Sequence, residues 1–157
     1  MKLLRGIGAS GLLALLSGSA LALNASQTVE REIVTFNADG TERVSYIPAD
    51  KVSPGESVVY ALNIENDQAQ DVTDLVLVMP VPAEINYVEG SAVHPGAIIT
   101  FSVDNGQTFS ARQDLQIKSP FGFRTAQSAD ITNIRWNLSG PLAAGSGDRL
   151  TFKGVLK

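Results

Sequence analysis

The chain has 157 residues, with 12 basic and 16 acidic side chains, one histidine, no cysteine and a formal net charge of −4. That length suits one domain with a proper core, and the acidic balance disfavours a nucleic-acid partner. The lack of cysteine excludes disulfide, thiol and iron–sulfur chemistry.

Residues 1–22 differ from everything after them. Lys2 and Arg5 precede an apolar run from Gly6 to Leu21 that closes on Ala20-Leu21-Ala22, the three-part pattern of a secretory signal peptide. Gly and Ser interrupt the run and it is short for a bilayer, so cleavage after Ala22 is expected and no membrane span thereafter. The remaining 135 residues carry 10 basic and 16 acidic groups, a charge of −6. A periplasmic or extracellular location follows.

Residues 23–51 predict an N-terminal hairpin belonging to the same sandwich as residues 52–157. "TVEREIVTF" and "TERVSYI" flank Asn37-Ala38-Asp39-Gly40, where Asp-Gly supplies the positive-φ residues of a tight turn. Next comes "ESVVYALNIE", in which Val58, Tyr60, Leu62 and Ile64 share one face of a strand bounded by Ser53-Pro54-Gly55 and the polar "NDQAQD". "LVLVM" from Leu75 is continuously apolar but far too short to cross lipid, so it predicts a strand buried on both faces or nearly so. Pro80 and Pro82 end it, because proline cannot donate to a ladder, and the chain should there leave the sheet and cross the top of the domain.

Further on, "AIITFSV" and "QTFSA" predict a second hairpin across Asp104-Asn105-Gly106, with Ile99, Phe101 and Val103 on one face. "ITNIRWNL" sets Ile134, Trp136 and Leu138 on one face, which makes Trp136 a core residue. "DRLTFKGVL" reads as a final strand weakened by Gly154. No apolar pattern of helical period runs ten residues after Ala22, so the expected fold is all-β. The expected architecture is an immunoglobulin-like antiparallel β-sandwich of about seven to eight strands, with a barrel as the alternative.

Three stretches in order, "SPGESVVYALNIEND", "VTDLVLVMPVPAEINYVEGS" and "NIRWNLSGPLAAGSGDRLTFKGVLK", resemble a repeat domain of bacterial surface and exported proteins catalogued as domain of unknown function eleven. Its element P-A-x-x-x-Y-V-x-G-S is matched by Pro82, Ala83, Tyr87, Val88, Gly90 and Ser91. The resemblance covers roughly residues 52–157 and implies an immunoglobulin-like sandwich with an extracytoplasmic life. It brings no catalytic residues. It departs from the family's pattern at Glu84, where glycine is commoner, and in holding a single copy where members often run in tandem.

Chemistry is thinly represented. His94 stands in "SAVHPG" and is expected to face solvent in a turn. No Gly-x-Ser-x-Gly elbow accompanies it. Acidic turns offer carboxylate pairs, but such side chains are usually solvated. Glu65, Asp67, Asp71 and Asp74 could gather oxygens around calcium, although their spacing is not that of an EF-hand loop. No residue is assigned a catalytic, cofactor-binding or metal-binding role, and no cofactor is expected.

The loop "SPFGFRT" holds Phe121 and Phe123 beside Lys118 and Arg124. Exposed, Phe121, Phe123 and Arg124 would form a partner-binding patch; burial gains favour rings folded back over one end of the sandwich. The functional expectation is a non-enzymatic exported module with a structural or protein-interaction role, its partner an unidentified envelope or extracellular protein. A small-ligand or calcium-binding module is the alternative.

Overall fold

The computed structural model describes residues 23–157, so the expected signal peptide lies outside the described residues. Ten strands run through them: β1 (Asn24–Phe36), β2 (Glu42–Pro48), β3 (Ser57–Glu65), β4 (Val76–Pro80), β5 (Ile85–Tyr87), β6 (Ala97–Ser102), β7 (Gln116–Ser119), β8 (Gly122–Thr125), β9 (Asn133–Leu138) and β10 (Gly147–Leu156). The only helical segments among them are two single 3₁₀ turns, Arg112–Asp114 and Ser128–Asp130. All pairings are antiparallel. One sheet has the order β2-β1-β3-β10-β5, a second β4-β9-β6, and β7 pairs only with β8.

The first two sheets share one core, as in a β-sandwich. Tyr60, Leu62, Leu150 and Phe152 from the larger sheet join Leu77, Met79, Phe101, Ile134 and Trp136 from the smaller in one buried apolar cluster. Tyr60 and Phe152 stack with centroids 4.9 Å apart, and Tyr87 leans on both Phe152 and Phe101. Burial, with a smaller push from Glu84, raises the Tyr60 phenol to about 12, so it stays neutral. Trp136 is fully buried as expected, although its indole N–H has no acceptor among the described residues.

The turn chemistry follows the sequence closely. Gly40 and Gly55 adopt φ of 83° and 89°, and Asp39 caps the first hairpin by accepting from the Thr41 backbone and hydroxyl. Asn105 and Gly106 also take positive φ. The ladder expected beyond them does not form: Phe101 and Ser110 make one isolated bridge. Asp104 instead draws the chain into a tight turn, accepting from Ser102 Oγ at 2.6 Å, Thr108 Oγ1 at 2.6 Å, and the Gln107 and Thr108 amides. That loop returns Phe109 beneath the Arg135 guanidinium, 4.3 Å from the ring centroid.

Those donors, Ser102 first and then Thr108, pull the Asp104 carboxyl from its ordinary 3.8 down to about 2. A folded-state value below the unfolded one means the stabilisation is complete above the unfolded value and disappears as pH falls through the folded one. Stability measured against pH should therefore decline between 3.8 and about 2 more steeply in the native protein than in Asp104→Asn; superimposable acid limbs would refute this.

Three expectations are corrected. β4 is not buried on both faces: it is an edge strand, with Leu77 and Met79 buried and Val76, Val78 and Pro80 half-buried. That position explains how it tolerates proline. Gly154 does not weaken β10, which runs unbroken past it; a Cβ at Gly154 would lie 2.2 Å from Ile85 Cγ2, so the missing side chain admits β5. The strand count exceeds seven to eight because β5, β7 and β8 were not visible as periodic segments, while the strand expected at "QTFSA" is absent.

The crossover at the two prolines is as expected. Val81 N–H still bonds Thr132 O, and after Pro82 the chain enters β5 in the opposite sheet. The following Tyr87-Val88-x-Gly90-Ser91 element locks this joint. Ser91 Oγ donates to Val88 O and accepts from Lys153 N, replacing the ladder where β5 ends. Tyr87 OH accepts from Ala92 N.

Candidate functional site

The β7–β8 hairpin stands apart from both sheets. Its register pairs Lys118 with Phe123 and Ser119 with Gly122 across a two-residue Pro120-Phe121 turn. Proline presets φ at the first turn position, Gly122 takes φ of 117°, and Ser119 Oγ donates to Gly122 O. Its base is anchored by buried Leu115 and Ala126, which the Ala126 N–H to Leu115 O bond joins as the last rung of the hairpin's own ladder.

The expected aromatic cap over the sandwich does not form. Phe121 is fully exposed and Phe123 is 73% exposed. The hairpin's own ladder holds the rings outward, beyond reach of the core.

Arg124 behaves differently from the rings. It donates to both oxygens of Asp130, at 2.7 and 2.9 Å, while Asp130 also accepts from Gln127 N. The Arg124 guanidinium holds the Asp130 carboxyl below its ordinary value. Next to it Arg112 grips Glu89, which also accepts from Ser128 Oγ. These pairs brace the hairpin base; Arg124 is held by Asp130 with its side chain still 44% exposed, and Lys118 stands across the ladder from Phe123.

The other candidates are dispersed. His94 is not solvent-facing: Nε2 lies 3.0 Å from Asp148 and Nδ1 accepts from Gly96 N. Both ring nitrogens are engaged in anchoring the loop. In the acidic turn Asp71 accepts from Ala144 N, Asp74 from Thr73 Oγ1, and Asp67 from the Asn24 amide. Fully buried Asn66 organises this turn instead, donating to Gln70 O and Leu142 O. Among the described residues no three acidic or histidine side chains are grouped to hold a metal ion.

Two features escaped sequence reasoning. A cleft of about 490 Å³ opens beneath the proline crossover, walled by Pro80, Pro82, Ile85, Thr132, Asn133 and Lys157. The distal half of the β1–β2 hairpin exposes Val34, Phe36, Val44 and Tyr46. The second was detectable as apolar residues at alternate positions on both sides of a turn, a pattern with no further strand available to cover it.

Comparison with protein-family models, curated proteins and solved structures matches this chain to none of them. No helix among the described residues is long and apolar enough to cross a membrane.

Proposed function

We propose that the protein is an exported, non-catalytic sandwich module, immunoglobulin-like in kind, that binds another protein at the bacterial envelope or outside the cell through the β7–β8 tip. The observation that carries this is the outward display of Phe121 and Phe123 on a hairpin whose base is braced by two arginine–carboxylate pairs. Exposed aromatics held rigidly on a narrow support are the anchors that protein interfaces favour, because little entropy is lost when they dock. The export pattern of residues 1–22 and the resemblance to the repeat domain of bacterial surface proteins support that location.

Replacing both rings with serine tests this. Captured from envelope and culture-supernatant extracts, the native protein should retain a partner that Phe121→Ser/Phe123→Ser loses, with an unfolding midpoint unchanged within error because neither ring packs on the core. Equal capture by both forms would refute the site.

The cleft beneath the proline crossover favours a second reading, a small-ligand module. Its size falls within the range of ligand pockets, and its wall combines apolar residues with Asn133 and the Lys157 ammonium. Ligand-dependent thermal stabilisation that survives the loss of both phenylalanines would support it.

A further inference from the structure

Residues 31–36 of β1 pair with β2 alone, since the ladder to β3 ends at Glu30. Beyond that point the hairpin projects past the body of the sheet. Cross-strand partners share a face, so the pairs Glu32–Tyr46, Val34–Val44 and Phe36–Glu42 place Val34, Phe36, Val44 and Tyr46 together on the side opposite the core. All four are exposed, Phe36 to 70%.

The two ends of this strip present different groups. At the distal end stands Glu42, which has no hydrogen-bond or ion-pair partner among the described residues. At the end nearest the body Arg149 pairs with Glu30 and Lys153 with Glu32, and Arg149 also lies over the Tyr46 ring. The cations form the outer layer: side-chain exposure is 38% for Arg149 against 14% for Glu30, and 40% for Lys153 against 27% for Glu32. The strip is thus apolar in the middle, with a carboxylate at its tip and, at its root, two ion pairs whose cations lie outermost.

From this we infer that the outer face of the β1–β2 arm is a homodimer interface, its occupant a second copy of this chain packed face to face about a two-fold axis through the Val34–Val44 pair. With that axis running across the strands, tip lies against root: the two valines meet their own counterparts, and Glu42 of each copy falls over Tyr46 of the other, beside the Arg149 and Lys153 cations. The area is sufficient. Four side chains at these exposures offer about 400 Å² of apolar surface per copy, and a specific interface takes about 800 Å² from each partner, a little over half of it apolar.

Sedimentation of the purified protein across concentration tests the inference. A dimer is expected by about 100 µM, and Phe36→Ser should return it to monomer without lowering the unfolding midpoint. Glu42→Lys and Lys153→Glu should each weaken self-association at least about tenfold. An equimolar mixture of those two variants should restore it, because each supplies the charge the other lacks at both symmetry-related contacts. A monomer throughout this range, a dimer indifferent to Phe36→Ser, or a mixture of the two folded charge variants that stays monomeric would overturn it. If Lys153→Glu does not fold, Phe36→Ser and Glu42→Lys decide alone.

Discussion

Alanine at Trp136 is expected to cost about 3–5 kcal/mol, the largest loss from any single substitution in the molecule. Trp136 sits in the middle strand of the smaller sheet, opposite Leu77 on one side and Ile99 on the other, with no exposed surface. Truncation removes the bulkiest fully buried side chain and leaves a cavity that two flanking strands cannot close. Domains of this size are stable by only about 5–15 kcal/mol, so a substantial part of the margin disappears. Phe in its place should cost distinctly less, because the lost volume is offset by removal of an indole N–H that has no acceptor among the described residues. Urea unfolding of both variants checks this; a loss below about 1 kcal/mol for Trp136→Ala would contradict the packing described.

Gly154→Ala is the second large effect, and it works by adding atoms. The new Cβ would stand 2.2 Å from Ile85 Cγ2, and Ile85 is itself buried and branched at Cβ, so its methyl cannot swing aside. β5 must shift or its pairing with β10 must part, at about 1–3 kcal/mol. The cost is steric, since Gly154 lies outside the positive-φ region. Pairing Gly154→Ala with Ile85→Ala should therefore cost less than the sum of the two single changes, by an amount that a double-mutant cycle reads directly. Strict additivity would show that the two positions do not collide.

These cases mark what the sequence could convey. Period-two alternation identifies β3, β6, β9 and β10, since each has one face in the core, and Asp-Gly, Pro-Gly and Asn-Gly locate turns whose positive φ the structure contains. Trp136 was legible as core for the same reason. β5 was not, because three residues between a proline and a glycine show no period and become a strand only when β10 lies beside them. β7 and β8 were hidden too: each is four residues long, β8 is exposed throughout, and β7 is only half-buried on one face, so neither demands an apolar alternation.

The proposed binding surface was legible by composition and not by orientation. "SPFGFRT" stood out as two aromatics among basic residues, yet residue type alone favours burying them. What turns them outward is a four-residue ladder and a brace between Arg124 and Asp130. The His94–Asp148 pair spans 54 positions and the Glu30–Arg149 contact 119, separations at which no local pattern links the partners. The partners of the acidic turn were hidden for a similar reason, since Asp71 and Asp67 each turn to a donor distant in the chain.

The measurement closest to the central claim is site-specific photo-crosslinking in the native cell. A photoreactive phenylalanine analogue would replace Phe121, with the same analogue at Ile98, also exposed but on the smaller sheet, as the comparison. The account predicts a discrete protein adduct at position 121, formed outside the cytoplasm, and none at position 98. No adduct at 121, or the same adducts from both positions, would contradict the assignment of the β7–β8 tip as the surface through which this protein acts.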